Sequence, residues 1–266
     1  MSDKITSLQN PLIKQFSRLQ KKARERKKTG LFVIEGLREL SLAFSAGYVV
    51  EQVLFVPSIT SVEALEGFMP NIKSLITEIS LEVYQKLAYR DSTEGVIAFV
   101  KSKKHCLKDL KIKNKKPLIL VAEASEKPGN IGALLRTADA ANVDAVVLAN
   151  PTTELYNPNI IRSSVGCVFT NQIVMGKTSE IISYLKLENY AIFCAALSDD
   201  AEVYHKNDFT QASAIIVGTE ATGLSDEWLQ HSDKNIIIPM RGKIDSMNVS
   251  VAAGIIVFEA LRQRNT

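Results

Sequence analysis

Cysteine is scarce in this chain. Its three thiols, Cys106, Cys167 and Cys194, lie far apart in 266 residues, with no CxxC pair. That spacing excludes a disulfide scaffold or a zinc knuckle and fits a reducing compartment. Histidine is as sparse: His105, His205 and His231 have no His or Cys neighbour at ligand spacing, so no metal is expected. A membrane span needs roughly 18 or more apolar residues. The longest uncharged stretches, such as residues 163–176, are shorter and of mixed polarity. The first residues, Met1-Ser-Asp-Lys, show no apolar signal-peptide core, so the expected location is cytoplasmic. Nucleotide-binding glycine patterns are missing too. Gly129 and Gly132 lack the GxGxxG spacing, and no Lys-Ser/Thr pair follows them, which excludes a dinucleotide fingerprint and a P-loop. An oxidoreductase on an ordinary α/β sheet loses its main support.

What is present is a globular composition, 46% apolar and 23% charged, at a length that suits two domains. The net charge of +3 hides an uneven distribution. Residues 1–30 hold nine Lys/Arg against Asp3 and Glu25, a net of +7. Residues 101–117 hold eight Lys against Asp109, again +7, so the remaining 219 residues carry −11. Two compact basic blocks on an acidic background point to a polyanion such as nucleic acid; the plainer reading is two solvated faces.

The second block also reads as a linker, poor in apolar residues and ending in Pro117. Before it, strand-like runs at 31–34, 52–56, 74–79 and 95–100 alternate with helical patterns. The first helix is expected over residues 11–28, with Leu12, Phe16 and Leu19 on one face. After it come almost fully apolar runs at 118–122, 145–149, 191–196, 214–218 and 235–239. Strands of that kind are buried on both faces, which predicts a parallel sheet covered by helices at 131–141, 178–187 and 248–264. The expected organisation is α/β throughout: a small domain over 1–105, a basic linker at 106–117 and a doubly wound domain over 118–266. Trp228 is expected to pack a short helix.

Ligands of such sheets bind at the carboxyl ends of the strands, and three loops there are rich in Gly, Asn, Ser and acid. In the first, residues 127–137, Asn130 reads as the N-cap of a helix whose buried face is Ile131, Leu134, Leu135 and Ala138; Arg136 is left unexplained. The second, residues 218–225, sets Glu220 and Gly223 after Gly218, where a ligand can approach the main chain closely. An ordinary Gly/Thr turn explains it equally well. In the third, residues 239–250, Ser246 reads as a cap with Asn248 in the first helical turn.

Taken together the three loops resemble the sequence motifs of the SpoU (TrmH-like) branch of the SPOUT RNA methyltransferases. Asn130 and Arg136 match the first motif; Gly218, Glu220, Gly223 and Leu224 match its Gly-x-Glu-x-x-Gly-Leu-Ser motif. Residues 238–254 match the third almost without a break, closing on Arg262 and Arg264. The resemblance covers 118–266. More weakly, 4–100 resemble the family's N-terminal substrate-binding domain, through residues 5–11, 32–36 and 94–98. Two positions depart from the pattern: Thr219 stands where Asn is usual, and Lys127 where an acid is common.

The resemblance implies methyl transfer from S-adenosyl-L-methionine to a ribose 2′-hydroxyl of RNA, rRNA before tRNA, in a homodimer whose C-terminal chain forms a deep trefoil knot. A general rule against threaded loops predicts no knot. The implied catalytic set is Arg136, Asn130, Glu220, Ser246 and Asn248. The implied cofactor set is Gly218, Ile238, Met247, Leu197 and Gly223. RNA is expected on Lys21, Lys22, Arg24, Arg26, Lys27, Lys28 and Arg38, with cofactor and chemistry left to the second domain. A competing expectation is an RNA-binding homologue that has lost activity.

Overall fold

The structure is a computed structural model that describes residues 4–89, 94–219 and 222–265. It has two compact units. One is Met1–Lys104 with Glu154–Thr170; the other is His105–Thr153 with Asn171–Thr266.

The first unit begins with α1 (Pro11–Lys21), capped by Asn10, whose side chain accepts from Leu12 N; a proline fits its first turn. Ile13, Phe16 and Leu19 are its buried residues, with Leu12 packed at the edge. The single helix expected to residue 28 breaks at Lys22, which is extended, and restarts as α2 (Ala23–Thr29). Then follow β1 (Leu31–Glu35), α3 (Leu37–Ser45), β2 (Val50–Phe55), α4 (Val62–Glu66), β3 (Ile76–Glu78), α5 (Leu81–Leu87) and β4 (Val96–Lys101). They form a four-stranded sheet in the order β1-β4-β2-β3, antiparallel except for β2 with β3.

The second unit holds β5 (Leu118–Glu123), α6 (Pro128–Ala140) and β6 (Ala145–Ala149). After β6 the chain passes through the first unit as α7 (Pro158–Ser163) and α8 (Cys167–Thr170). It returns as β7 (Ile173–Gly176), α9 (Thr178–Leu187), β8 (Ala191–Ala195), β9 (Glu202–Val203), β10 (Ser213–Val217), α10 (Asp226–His231), β11 (Lys234–Ile237) and α11 (Val249–Arg264). The seven-stranded sheet runs β7-β6-β5-β10-β8-β11-β9, and all its pairings are parallel. Its central strands β5, β6 and β10 are buried at every residue, as their almost fully apolar sequences require. Trp228 lies on α10 with no exposed surface.

The expected linker is not a free connector. Cys106 bridges to Met175, and Leu107, Leu110 and Ile112 pack against the core of the second unit. Residues 154–170, expected within the second domain, belong to the first unit. There Glu154 forms an ion pair with Arg26, and Tyr156 stacks on Phe32 at 4.2 Å between ring centroids.

Candidate active site

The sheet delivers its loops to one end. α6 follows β5 with Pro128 in its first turn, so Asn130 is not the expected N-cap but lies inside that turn, Lys127 preceding the helix. In the third loop the cap is two residues later than expected. Asn248, not Ser246, caps α11, and its Oδ1 accepts from Ser250 N (3.0 Å) and Ser250 Oγ (2.5 Å). The Asn248 Nδ2 donates to Asn130 Oδ1 at 3.1 Å, tying the first motif to the third. Ser246 is exposed, with its hydroxyl on Asp245 Oδ1 at 3.2 Å.

The second loop closes on itself. Thr219 and Gly223 exchange main-chain hydrogen bonds of 3.1 Å. A Cβ on Gly218 would collide with the carbonyl of Gly223 and lie 2.6 Å from Leu224 N. Glycine is therefore demanded by the loop's own closure rather than by a ligand alone. Gly223 takes φ +69°, the left-handed region. Thr219 serves as an Asn could there: its Oγ1 accepts from Thr222 N at 3.0 Å and meets Thr222 Oγ1 at 2.8 Å. Glu220 lies outside the described residues.

One residue that sequence reasoning missed anchors this loop. Glu123, 4% exposed at the end of β5, accepts from Ser225 N (2.8 Å), Ser225 Oγ (2.7 Å) and Thr178 Oγ1 (3.0 Å). Its signal is an acid closing an otherwise apolar strand. Beneath the same end of the sheet, burial pushes the Cys194 thiol up to about 12, with Glu123 and Asp233 adding to the effect.

Around these loops opens a cavity of about 610 Å³. It gathers Leu197, Gly218, Gly223, Ile238, Met247 and Ser246, together with Leu224 and Ile236. All five residues expected to hold cofactor line it. Asn130, Asn248 and Arg136 are not part of its lining. Arg136 is exposed on α6, about 100° around the helix from Thr137, which faces Gly254 of α11. Among the described residues it has no hydrogen-bond or ion-pair partner.

The basic blocks differ in placement from the expected RNA surface. Lys21, Lys22, Arg24, Lys27 and Lys28 are exposed, and Arg38 is 59% exposed beside Glu39. Arg26 is not available: its guanidinium is 6% exposed, holds both oxygens of Glu154 at 2.7 and 2.8 Å, and donates to the carbonyls of Leu19 and Gln20. It is a structural residue of the first unit. Lys101, Lys103 and Lys104 of the second block belong to the first unit, whereas its later lysines, from Lys111 to Lys116, lie at the amino ends of the second unit's strands. Asn114 bonds Asp144 just before β6, and Arg264 reaches the carbonyl of Lys116 just before β5. Strands of five or six residues put roughly 15–20 Å between those lysines and the cavity. Among the described residues, no group of three or more His, Cys, Asp or Glu has metal-site geometry, and no helix is long and apolar enough to cross a membrane.

Comparison with known proteins agrees with this geometry. Residues 117–258 match the SpoU rRNA Methylase family, and residues 10–98 match the MRM3-like substrate binding domain. The chain is 29% identical over 254 residues to the 23S rRNA (guanosine(2553)-2′-O)-methyltransferase RlmP of Bacillus subtilis, covering 96% of this chain and 97% of that protein. A crystal structure of an RNA 2′-O ribose methyltransferase superposes with a TM-score of 0.85 at 37% identity, covering 99% and 100% of the two chains. The methyltransferase AviRb of Streptomyces viridochromogenes, solved with AdoMet, superposes at 0.83 with 26% identity over 97% and 99%.

Proposed function

Since the chain belongs to the SpoU rRNA methylase family, we propose that it transfers a methyl group from S-adenosyl-L-methionine to a ribose 2′-hydroxyl of RNA, ribosomal RNA before transfer RNA. The observation that carries this reading is the cavity that collects Leu197, Gly218, Gly223, Ile238 and Met247 at the carboxyl ends of β8, β10 and β11. Its volume falls in the range of small-molecule sites, about 300–1,000 Å³. Leu197, Leu224, Ile236 and Ile238 give apolar walls for a purine, and main chain near Gly218 and Met247 is left to hydrogen-bond it. The cofactor supplies a methyl group activated on a sulfonium sulfur.

The chain's own residues then have to prepare the acceptor. A ribose hydroxyl is a weak acid, and holding it in line is worth roughly 7–11 kcal/mol. A guanidinium does not lose its proton in proteins, so Arg136 is no general base. It grips phosphate and stabilises the developing oxyanion as a fixed charge. Asn248 and Asn130 brace the loops that face the ribose, Ser246 offers a hydroxyl at the cavity wall, and Glu220 orients Arg136 or Asn130.

The same placement supports a homodimer. Arg136 is exposed and outside the cavity lining, so a second copy completes the site. Along α11, Val251, Ile255 and Phe258 form a stripe at helical spacing, with Val251 53% and Phe258 47% exposed. The sheet order, with β10 between β5 and β8, is the kind of crossover that a trefoil knot needs. The rRNA preference is supported by the full-length likeness to RlmP, and a cytoplasmic location is part of the same reading.

Calorimetry with S-adenosylmethionine, followed by mapping of 2′-O-methyl sites in rRNA and tRNA with and without the gene, tests the proposal. Cofactor heat and one missing rRNA methyl are expected. No heat at saturation would favour an inactive RNA-binding homologue.

A further inference from the structure

The third loop, between β11 and α11, brings a carboxylate to the cofactor cavity. Asp245 is part of the lining, and among the described residues of that lining it is the only charged side chain. The others are apolar residues, glycines and the hydroxyl residues Thr219, Thr222 and Ser246.

The carboxylate is held on one side and open on the other. Its Oδ1 meets the Ser246 hydroxyl at 3.2 Å. Arg241 and Lys243 stand in the same loop, yet both are exposed and outside the cavity lining. Among the described residues Asp245 forms no ion pair with either. A carboxylate has about four lone-pair positions, so Asp245 keeps most of its acceptor capacity for a ligand.

The cofactor carries two cationic centres, its sulfonium and the α-ammonium of its amino-acid end, against one carboxylate. Taking a cation into a largely apolar cavity costs free energy unless an opposite charge meets it. The two centres differ in what they ask of an acceptor: the ammonium has N–H donors to give, and the sulfonium has none. They differ again during the reaction. Methyl transfer removes the sulfonium charge, so a carboxylate paired there would stabilise the starting state more than the transition state and slow the transfer. The ammonium charge is the same before and after transfer. A partner for it strengthens binding without opposing the chemistry.

We propose that Asp245 accepts a hydrogen bond from the α-ammonium of S-adenosyl-L-methionine and so anchors the amino-acid end of the cofactor. The inference rests on the cavity being the cofactor site. It adds a charged residue to a binding set otherwise made of glycines and apolar side chains.

The test is calorimetry on the full chain and on Asp245→Asn with three ligands. They are S-adenosylmethionine, S-adenosylhomocysteine and 5′-methylthioadenosine, which keeps the nucleoside and the thioether but lacks the amino-acid end. Asparagine retains an Oδ1 for the Ser246 hydroxyl and loses only the charge. Because Asp245 is exposed, water screens the pair, and both S-adenosyl ligands should bind about fivefold more weakly to the variant. Affinity for methylthioadenosine should stay the same. Weakening of S-adenosylmethionine alone would put the carboxylate at the sulfonium and overturn the assignment. Equal weakening of all three would move the contact to the nucleoside, and no weakening of any would remove Asp245 from the site; either result overturns it too. An unaltered chain that binds none of the three defeats the cofactor reading and the inference with it. Binding by the unaltered chain that Asp245→Asn leaves untouched defeats the inference alone.

Discussion

The side-chain nitrogen of Asn248 sits 3.1 Å from the side-chain oxygen of Asn130, 118 residues earlier in the chain. This one hydrogen bond joins the first turn of α6 to the cap of α11, and Asn248 performs both tasks. Asn248→Ala should lose the cap, about 1 kcal/mol, and the tether, about another 1 kcal/mol. Asn130→Ala should lose the tether. Urea denaturation of both single variants and the double variant should give a coupling of about 0.5–1.5 kcal/mol. A coupling indistinguishable from zero would mean that the tether does not hold in solution.

Gly218 is expected to be intolerant for a steric reason. In Gly218→Ala the new methyl meets the Gly223 carbonyl and Leu224 N, so the loop must open. Affinity for S-adenosylmethionine should fall at least tenfold by calorimetry. Gly223→Ala points its methyl into open space and pays only for φ +69°, about 1–2 kcal/mol. Its cofactor affinity should fall less. Equal affinity in Gly218→Ala and the unaltered chain would remove loop closure as the reason for glycine.

Glu123 should behave as a positioning residue for the same loop. Glu123→Ala leaves Ser225 N and the Thr178 hydroxyl without their acceptor, costing about 1–3 kcal/mol for each buried group left unpaired. Glu123→Gln keeps one oxygen, and the hydroxyls of Ser225 and Thr178 can turn to accept from the new amide. Thermal denaturation should therefore rank Gln well above Ala, and cofactor affinity should recover in Gln. If Ala and Gln lose cofactor affinity equally at matched stability, the carboxylate has another role.

The strands of the parallel sheet are legible in the sequence because burial on both faces leaves almost no polar residue in them, as in β5, β6 and β10. β7 is not, because it lies inside an uncharged stretch whose apolar residues also serve α8. The cap of α11 is ambiguous for a chemical reason: Ser246, Asn248 and Ser250 are all good caps, and only the contact with Asn130 selects the middle one. Arg26 is indistinguishable from its basic neighbours in sequence because its partner, Glu154, is 128 residues away. The residues of the cofactor cavity follow from motif resemblance; their convergence depends on a strand order that local sequence does not encode.

Cys194 should be chemically silent. Its thiol is held near 12 by burial, against 9 for an ordinary one. Because the folded value is raised, the unfolded chain ionises first. This group's contribution is therefore intact below about pH 9 and declines as pH climbs toward 12. Iodoacetamide at pH 8.5 should modify Cys106 and Cys167, which are partly exposed, well before Cys194. Mass spectrometry showing Cys194 alkylated at the same rate in the native chain would contradict its burial.

The basic N-terminal block separates charge from structure. Removing residues 1–30, the simplest way to test RNA binding, would also remove Ile13, Phe16 and Leu19 from the core and the Arg26 partner of Glu154. The informative variant instead changes Lys21, Lys22, Arg24, Lys27 and Lys28 to Gln, all exposed and outside that core. For every phosphate no longer neutralised, the slope of log affinity against log salt should flatten by about 0.7–0.9. RNA affinity at low salt should fall by more than tenfold, with cofactor affinity unchanged. Arg26→Met is the contrasting case. It strands Glu154 beside an apolar side chain, so it should lower the unfolding midpoint, by about 3–5 kcal/mol if the pair counts as fully buried. In the fraction that stays folded it should leave the salt slope where it was. A salt slope that moves with Arg26→Met but not with the five-residue variant would reverse the assignment of these charges.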